Sequence, residues 1–491
     1  MRFLFRTDTT VKMGTGHFMR CFALAQACKD RGGEVLFLTS AVIPLAFQHR
    51  LKTEKIRYES LNVGMGSRLD AKKTTVRGFF WGADCIVLDG YHFGPAYQKY
   101  LKERGHRVLL FDDYGIHPKY FADFILNPNI LKPYASYESA KAKLFLGPFY
   151  AVLRREFVKT RRKKKNMREP KRWIILMGGS DPANMTGKVI KAWQMIRKNS
   201  WKVAVVVGPQ NPKRVELRSY QSKDISVLED PKNISALMQR SDFGIIAGGS
   251  TCWEMGRLGV PFAAIEVARN QRPLLKTLSR LGICKNLGSP SRLYLNTMAR
   301  KLRGIIIHST ALYRMIKSST QWGDGLGTKR VLDQVEQRLM QLSRAALKDC
   351  RRVWKWANEP EVRRVSFSQQ SIAWKEHLSW FRKKVRDRGC VFYLAAVGQK
   401  PAGQIRYEIY GKNAVVSLML DRKYRGQGYG NDLLRVSAAK LFDKTRVKTI
   451  HAYVRPENKD SQRLFIRNFF NTRGLHRVNG TPARHYQLDK S

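Results

Sequence analysis

The stretch Arg2-Phe-Leu-Phe-Arg-Thr-Asp8, followed by Met13-Gly-Thr-Gly-His17, decides how the chain begins to fold. A short apolar run closing in polar residues reads as a strand, and a Gly-rich turn leading into Phe18–Asp30, with Phe22, Leu24 and Ala25 at apolar positions, reads as a helix start. Strand, turn and helix in that order predict parallel α/β layers. The pattern continues outward through candidate strands Glu34–Leu38, Cys85–Leu88, Val108–Phe111 and Ile125–Leu126. A basic connector over 159–172 interrupts it. A second series follows at Trp173–Met177, Lys202–Val207, Ile225–Leu228, Phe243–Ala247 and Phe262–Glu266, with helical stretches between. Residues 1–160 and 170–340 therefore read as two doubly wound, Rossmann-like domains whose ligands sit in the crevice at the strand carboxyl ends. After a helical stretch ending near Arg344, residues 345–491 read as a separate α+β domain. Its elements are helices Ala346–Trp356 and Ser371–Arg386, strands Val391–Val397, Ala402–Tyr410 and Ala414–Leu420, then a Gly-rich turn and a helix.

Composition bounds the function. At 491 residues about three domains are expected, and 43% hydrophobic with 11% aromatic residues is ample for globular folding, so disorder is not the default reading. The N-terminus lacks the apolar core of a signal peptide, and no run approaches the roughly 18 apolar residues of a membrane span. A cytoplasmic enzyme is expected. Seven cysteines without a CxxC pair predict reduced thiols, with neither a disulfide framework nor a zinc site. Lys and Arg total 91 against 38 Asp and Glu, a net charge of +53, which raises nucleic acid as a partner. The charge is spread along the chain, however, and its densest run, Arg161–Lys165, falls in the connector. It reads as solvated surface, and a polynucleotide is not expected as the main partner.

The candidate first site gathers Gly turns. Gly14-Thr-Gly16 before His17 lets backbone N–H groups approach phosphate at a helix start. An imidazole there is disfavoured as a cation, so His17 is expected to remain a neutral proton acceptor; the plainer reading is a histidine bonded to local backbone. Met177-Gly-Gly-Ser-Asp181, with Gly178 and Gly179, and Ala247-Gly-Gly-Ser-Thr-Cys-Trp-Glu254 place two more such turns after strands of the second half. In the latter, Ser250 and Thr251 are expected to cap the helix and offer N–H groups to a diphosphate. Glu254 suits ribose hydroxyls or merely the helix dipole. Asn270 and Gln271 offer neutral amides suited to a sugar. The neighbouring acids Asp112 and Asp113 point to opposite sides if extended, so no paired-carboxylate glycosidase plan is expected.

Together with Phe5-Arg-Thr-Asp8, Phe111-Asp-Asp113, Tyr150-Ala-Val-Leu-Arg154 and Asn233-Ile-Ser-Ala-Leu-Met238, these segments make the first 340 or so residues resemble the UDP-sugar hydrolases of pseudaminic acid biosynthesis, relatives of glycosyltransferases with the B-type fold. The resemblance implies metal-free, inverting attack of water on UDP-2,4-diacetamido-2,4,6-trideoxy-β-L-altropyranose. His17 would be the base, Gly249, Ser250, Thr251 and Glu254 would hold UDP, and Asn270 and Gln271 the sugar. Asp89 and Tyr91 match positions near the sugar pocket, although the histidine expected before that tyrosine is Gly90 here.

The second site is carried by the strand ending at Leu420, then Arg425-Gly-Gln-Gly-Tyr-Gly430, a helix over Asn431–Phe442, the strand Ile450–Val454 and Asn458. The Arg-x-x-Gly-x-Gly spacing lets successive N–H groups surround a pyrophosphate. In this context the segment resembles the GNAT acetyltransferases, which implies acetyl-CoA as co-substrate. Leu420 would pair with the pantetheine arm, Arg425, Gly426, Gly428 and Gly430 would hold the pyrophosphate, and Asn458 would stand near the thioester. The tyrosine that many members use to protonate the thiolate is Phe465 here, leaving Tyr453 through water, or solvent, as donor. Glu408 is either a base for the acceptor ammonium or an exposed strand acid. The fusion implies the 4-amino group of UDP-4-amino-4,6-dideoxy-N-acetyl-β-L-altrosamine as acceptor. A glycosyltransferase fused to a GNAT acting on protein or another amine is the alternative. The two sites are expected to lie in separate domains, the first half making no use of the 425–430 turn.

Overall fold

The computed structural model describes residues 1–10, 13–115, 117–129, 135–138, 140–160 and 169–490, so the basic run at 161–165 lies outside the described residues. Three sheets organise the chain. The first contains β1 (Arg2–Thr7), β2 (Glu34–Thr39), β3 (Arg57–Ser60), β4 (Cys85–Asp89), β5 (Val108–Phe111), β6 (Phe124–Asn127) and β7 (Lys143–Leu146), all parallel, in the order 3-2-1-4-5-6-7. The second contains β8 (Arg172–Leu176), β9 (Lys202–Val207), β10 (Ile225–Glu229), β11 (Phe243–Ala247), β12 (Phe262–Ile265) and β13 (Lys285–Gly288), also parallel, in the order 10-9-8-11-12-13. Their central strands are covered by helices on both faces, which is why Cys85-Ile-Val-Leu and Phe243-Gly-Ile-Ile are uninterrupted apolar runs.

The strands that the sequence pattern did not reveal in these two sheets, β3, β7 and β13, are all edge strands. Arg57-Tyr-Glu-Ser60 is only partly buried, so no apolar run is selected there. The helix Gly327–Glu336 returns to the first half, seating Val331, Leu332 and Val335 in the core beside Phe3, Phe5 and Leu24.

The third sheet is mixed. It contains β14 (Met340–Arg344), β15 (Cys390–Val397), β16 (Lys400–Tyr410), β17 (Asn413–Leu420), β18 (Thr449–Val454), β19 (Asn471–Val478) and β20 (Thr481–Asp489), in the order 14-15-16-17-18-20-19. Residues 340–344 are therefore a strand, antiparallel to β15, and not the end of a helix. All seven cysteines are buried and free. Among the described residues no helix is long and apolar enough to cross a membrane.

Candidate active sites

The carboxyl ends of the first two sheets face each other across a cleft of about 560 Å³, within the range of small-molecule sites. Residues 14–17, Tyr91 and Asp113 line it from one side, and 177–181, 247–251, Glu254, Asn270 and Gln271 from the other.

His17 stands in the first turn of the helix Gly16–Asp30, buried, with Nδ1 2.7 Å from Asp89 Oδ1 at the end of β4. A carboxylate at that distance accepts a hydrogen bond from Nδ1–H, which leaves the lone pair on Nε2. Arg20, one turn further along, donates to both oxygens of Asp89 at 2.5 and 2.7 Å and to Asp113 Oδ1 at 2.6 Å. Burial alone would raise the Asp113 carboxyl, but the Arg20 charge overrides it and holds the group below its ordinary range. Tyr91 donates to Asp113 at 2.9 Å and accepts from Asn270 Nδ2 at 2.7 Å. Burial, and then the charge of Asp113, push its phenol up, so it stays a donor. An unbroken hydrogen-bonded line thus runs from Asn270 of the second half through Tyr91, Asp113, Arg20 and Asp89 to His17. A side chain at Gly90 would run into the ring of His92, whose Nε2 lies 3.1 Å from Asp8. The space for the histidine expected at position 90 is already filled.

On the opposite wall the Gly turns make close contact with the first half. Gly178 has φ +86°, a conformation suited to glycine, and a methyl on Gly179 would overlap Thr15. The turn 249–251 opens the helix Thr251–Leu258, but Ser250 makes no capping hydrogen bond with its side chain. This differs from the capping expected, and the donors there are the backbone N–H groups of Ser250 and Thr251, since a helix start leaves such groups without intrahelical partners; the Gly249 N–H, against expectation, is bonded to the Ala247 carbonyl at 2.8 Å. Glu254 is gripped through Oε1 by Arg154 Nε and Nη2 at 3.1 and 2.9 Å. Burial pushes its carboxyl up while Arg154 opposes the shift. Gln271 accepts from the Val267 N–H at 3.0 Å.

Arg20 escaped the sequence reading, and Asp113 and Arg154 entered it only within matching segments, with no role assigned. The His17/Arg20 spacing of three, which puts both on one helix face, was the available signal for the first. Asp112 does turn the other way, accepting from Tyr137 at 2.8 Å and from Tyr120. Among the described residues no group of three or more His, Cys, Asp or Glu is placed to hold a metal.

In the third sheet β17 pairs with β18 only from Asn413 to Val415. β17 continues along β16 to Leu420, and β18 along β20 to Val454. The two strands therefore part, leaving backbone edges of both open to an extended, amide-bearing ligand. Just beyond, Gly426 (φ +73°) and Gly428 (φ +86°) shape the turn before the helix Tyr429–Lys444, and Gly430 lies in its first turn. Arg425 contributes shape rather than charge: its guanidinium bonds the Leu420 carbonyl at 3.0 Å and pairs with Glu361 and Glu359. Asn458 caps the helix Lys459–Arg467 by accepting from Ser461 N–H at 3.1 Å. Phe465 is buried against Phe470 and Tyr486, as plain core packing.

Glu408 is held by Lys384 and Arg406 at 3.0 and 3.1 Å, which keep it below its ordinary range despite burial, so it is an ion-paired acid and unsuited to be the base. Where β17 and β18 part, Tyr453 instead stacks on His485 at 4.8 Å, and His485 Nε2 meets His451 Nδ1 at 2.9 Å. The 425–430 turn also touches the first half, contrary to expectation: Arg107 donates to the Gln427 carbonyl at 3.0 Å.

The comparisons with known proteins agree with this division. Residues 340–471 match the acetyltransferase (GNAT) domain family. The chain is 27% identical over 289 residues to the UDP-2,4-diacetamido-2,4,6-trideoxy-beta-L-altropyranose hydrolase of Campylobacter jejuni, covering 57% of this chain and 97% of that protein. It is 24% identical over 406 residues to protein MJ1062 of Methanocaldococcus jannaschii, 78% of each. It is also 25% identical over 119 residues to acetyltransferase PseH of Campylobacter jejuni, 24% of this chain and 74% of that one. The chain is thus a fused enzyme, in which a hydrolase unit of two parallel α/β halves precedes a GNAT acetyltransferase domain.

Proposed function

We propose that the chain catalyses two successive steps on one sugar nucleotide. The GNAT domain transfers acetyl from acetyl-CoA to the 4-amino group of UDP-4-amino-4,6-dideoxy-N-acetyl-β-L-altrosamine. The hydrolase unit then cleaves the resulting UDP-2,4-diacetamido-2,4,6-trideoxy-β-L-altropyranose to UDP and the free sugar with inversion. The observation that carries the reading is the line from Asn270 to His17 across the cleft, facing Gly turns and a helix start.

In hydrolysis His17 Nε2 takes a proton from water, whose oxygen attacks C1 as the bond to the diphosphate oxygen breaks. Asp89 holds the imidazole in the required tautomer and stabilises it once protonated. The charge left on UDP is met by the N–H groups of Ser250 and Thr251, already oriented before the reaction, while Gly249, whose own N–H bonds the Ala247 carbonyl, lets the backbone come close. Glu254 is placed for the ribose, while Asn270 and Tyr91 position the sugar. In acetyl transfer the open edges of β17 and β18, with Leu420, receive the acetyl-pantetheine arm. Gly426, Gly428 and Gly430 cradle the pyrophosphate, and Asn458 stands near the thioester. His485 accepts a proton from the acceptor ammonium, the freed amine attacks the thioester carbonyl to form the C–N bond, and as the C–S bond breaks Tyr453 supplies a proton to the departing thiolate. The basic surface favours both polyanionic substrates.

The test is to supply the 4-amino sugar nucleotide with acetyl-CoA and identify products by mass and NMR. Diacetylated free sugar plus UDP is the expected outcome. UDP release that requires a sugar acceptor would make the first unit a glycosyltransferase, and acetylation of peptides in preference to the sugar would reassign the second.

A further inference from the structure

The hydrolase unit and the GNAT domain meet at a defined place. Arg2, at the start of β1, pairs with Asp443 at 2.9 Å. Gly82, before β4, would touch Ala439 with any side chain, and Gly105, before β5, lies against Asn431. These are the amino ends of the first sheet, and their partners all lie on the helix Tyr429–Lys444, the helix that the 425–430 turn introduces.

Arg107, the residue immediately before β5, sits at the centre of this contact. Its Nη1 is anchored at home on Asp123 Oδ1 at 3.2 Å. From there Nη2 donates to the Gln427 carbonyl at 3.0 Å and Nε to Asp432 Oδ2 at 2.8 Å, while the guanidinium lies 4.5 Å from the centre of the Tyr429 ring. A side chain added at Gly428 would point at the same guanidinium, 3.7 Å away. The turn needs two glycines in the left-handed region, and such a segment has little side-chain packing of its own and a large conformational freedom to lose. A planar, rigid guanidinium bridging three elements supplies the missing constraint.

We propose that Arg107 is a positioning residue of the acetyl-CoA site, holding the pyrophosphate turn in its binding conformation from outside the domain to which the turn belongs. The hydrolase unit is on this account a structural part of the cofactor site. The proposal rests on the reading of 425–430 as the pyrophosphate-binding turn.

The experiment compares full-length Arg107→Met, Arg2→Met and Gly428→Val by acetyl-CoA titration calorimetry, with UDP release from the diacetylated sugar as the measure of an intact fold. Arg107→Met is expected to weaken acetyl-CoA about tenfold, the loss of charge-assisted hydrogen bonds to the turn, with little change in kcat at saturating acetyl-CoA and unchanged UDP release. Arg2→Met loosens the far end of the same helix and is expected to bind acetyl-CoA normally. Wild-type affinity in Arg107→Met alongside lost binding in Gly428→Val overturns the proposal and leaves the turn assignment standing. Wild-type affinity in both overturns the turn assignment itself. An equal loss in Arg2→Met also overturns the proposal, because the effect would then belong to the interface as a whole. Should Arg107→Met fail to release UDP, Arg107→Lys takes its place; a single ammonium cannot bridge three divergent partners, and wild-type affinity in that variant overturns the proposal.

Discussion

In the proposed hydrolysis His17 acts through one nitrogen because Asp89 occupies the other, and Asp89 is in turn held by Arg20. His17→Ala is expected to lower the rate of UDP release by roughly 10²–10⁴, the usual contribution of a general base. Asp89→Asn should cause a large part of the same loss, and the double variant little more than His17→Ala, since the two act as one unit. Initial rates of UDP release check this; activity surviving within a few-fold in His17→Ala removes it as the base. In the other site burial lowers the pKa of His485, helped by the nearby His451, His476 and Arg473. Burial also lowers that of His451, reinforced by Arg473 and opposed by Asp489. A histidine with a depressed folded pKa contributes stability above its unfolded value and loses it as pH falls through the folded one. Both rings are therefore neutral at pH 7, and the acid limb of kcat/KM for acetyl transfer should lie below about 6.5, the ordinary histidine value. A limb at or above that value, or one unmoved in His485→Gln, sinks the assignment.

At the scale of elements, the two halves of the hydrolase unit are joined by turns. Gly179 lies against Thr15, and Arg50 reaches Asp230 across the cleft at 2.5 Å. A methyl at position 179 has to displace the helix start that carries His17. Gly179→Ala is therefore expected to hold the halves apart, raising KM for the UDP-sugar several-fold and lowering kcat as well, with acetyl transfer unaffected. Steady-state kinetics of both reactions decide it, and an unchanged KM would mean that the cleft does not close over substrate at this turn. The parting of β17 and β18 is the corresponding device in the third sheet, a gap inside a sheet rather than between two bodies.

At the scale of the molecule, β5 links the two sites. Arg107, just before it, touches the GNAT turn, and Asp113, just after it, belongs to the hydrolase line. Six residues of nearly extended chain separate them, about 20 Å, and the GNAT domain meets the amino ends of the strands while the cleft opens at their carboxyl ends. In the proposed sequence of steps the diacetylated sugar nucleotide leaves a domain docked at the amino ends of the first sheet and enters a cleft at its carboxyl ends. Fusion thus brings the enzymes together without a shared chamber. UDP release from the 4-amino precursor should show a lag while the intermediate accumulates free in solution, and added stand-alone hydrolase should shorten it. A reaction without a lag, indifferent to added hydrolase, would require a passage between the sites.

Local chemistry made much of this legible from the sequence alone. Central strands buried on both faces must be apolar runs, and tight turns from strand to helix favour glycine, so β1, β4, β8 and β11 and the Gly turns at 14–17, 178–179, 249–251 and 425–430 could be read directly as structure. Edge strands such as β3 and β13 carry no such obligation and stayed hidden. Only the tertiary structure decided that Asp89 and Asp113, from strands some 70 and 90 residues beyond His17, converge on it through Arg20, and that Glu408 is spent in ion pairs. It alone placed Arg107 against a turn 320 residues away. Such contacts are set by the order of strands in a sheet and by which of its ends packs on a neighbour. Neither leaves a periodicity in the chain, because each depends on residues distant in sequence.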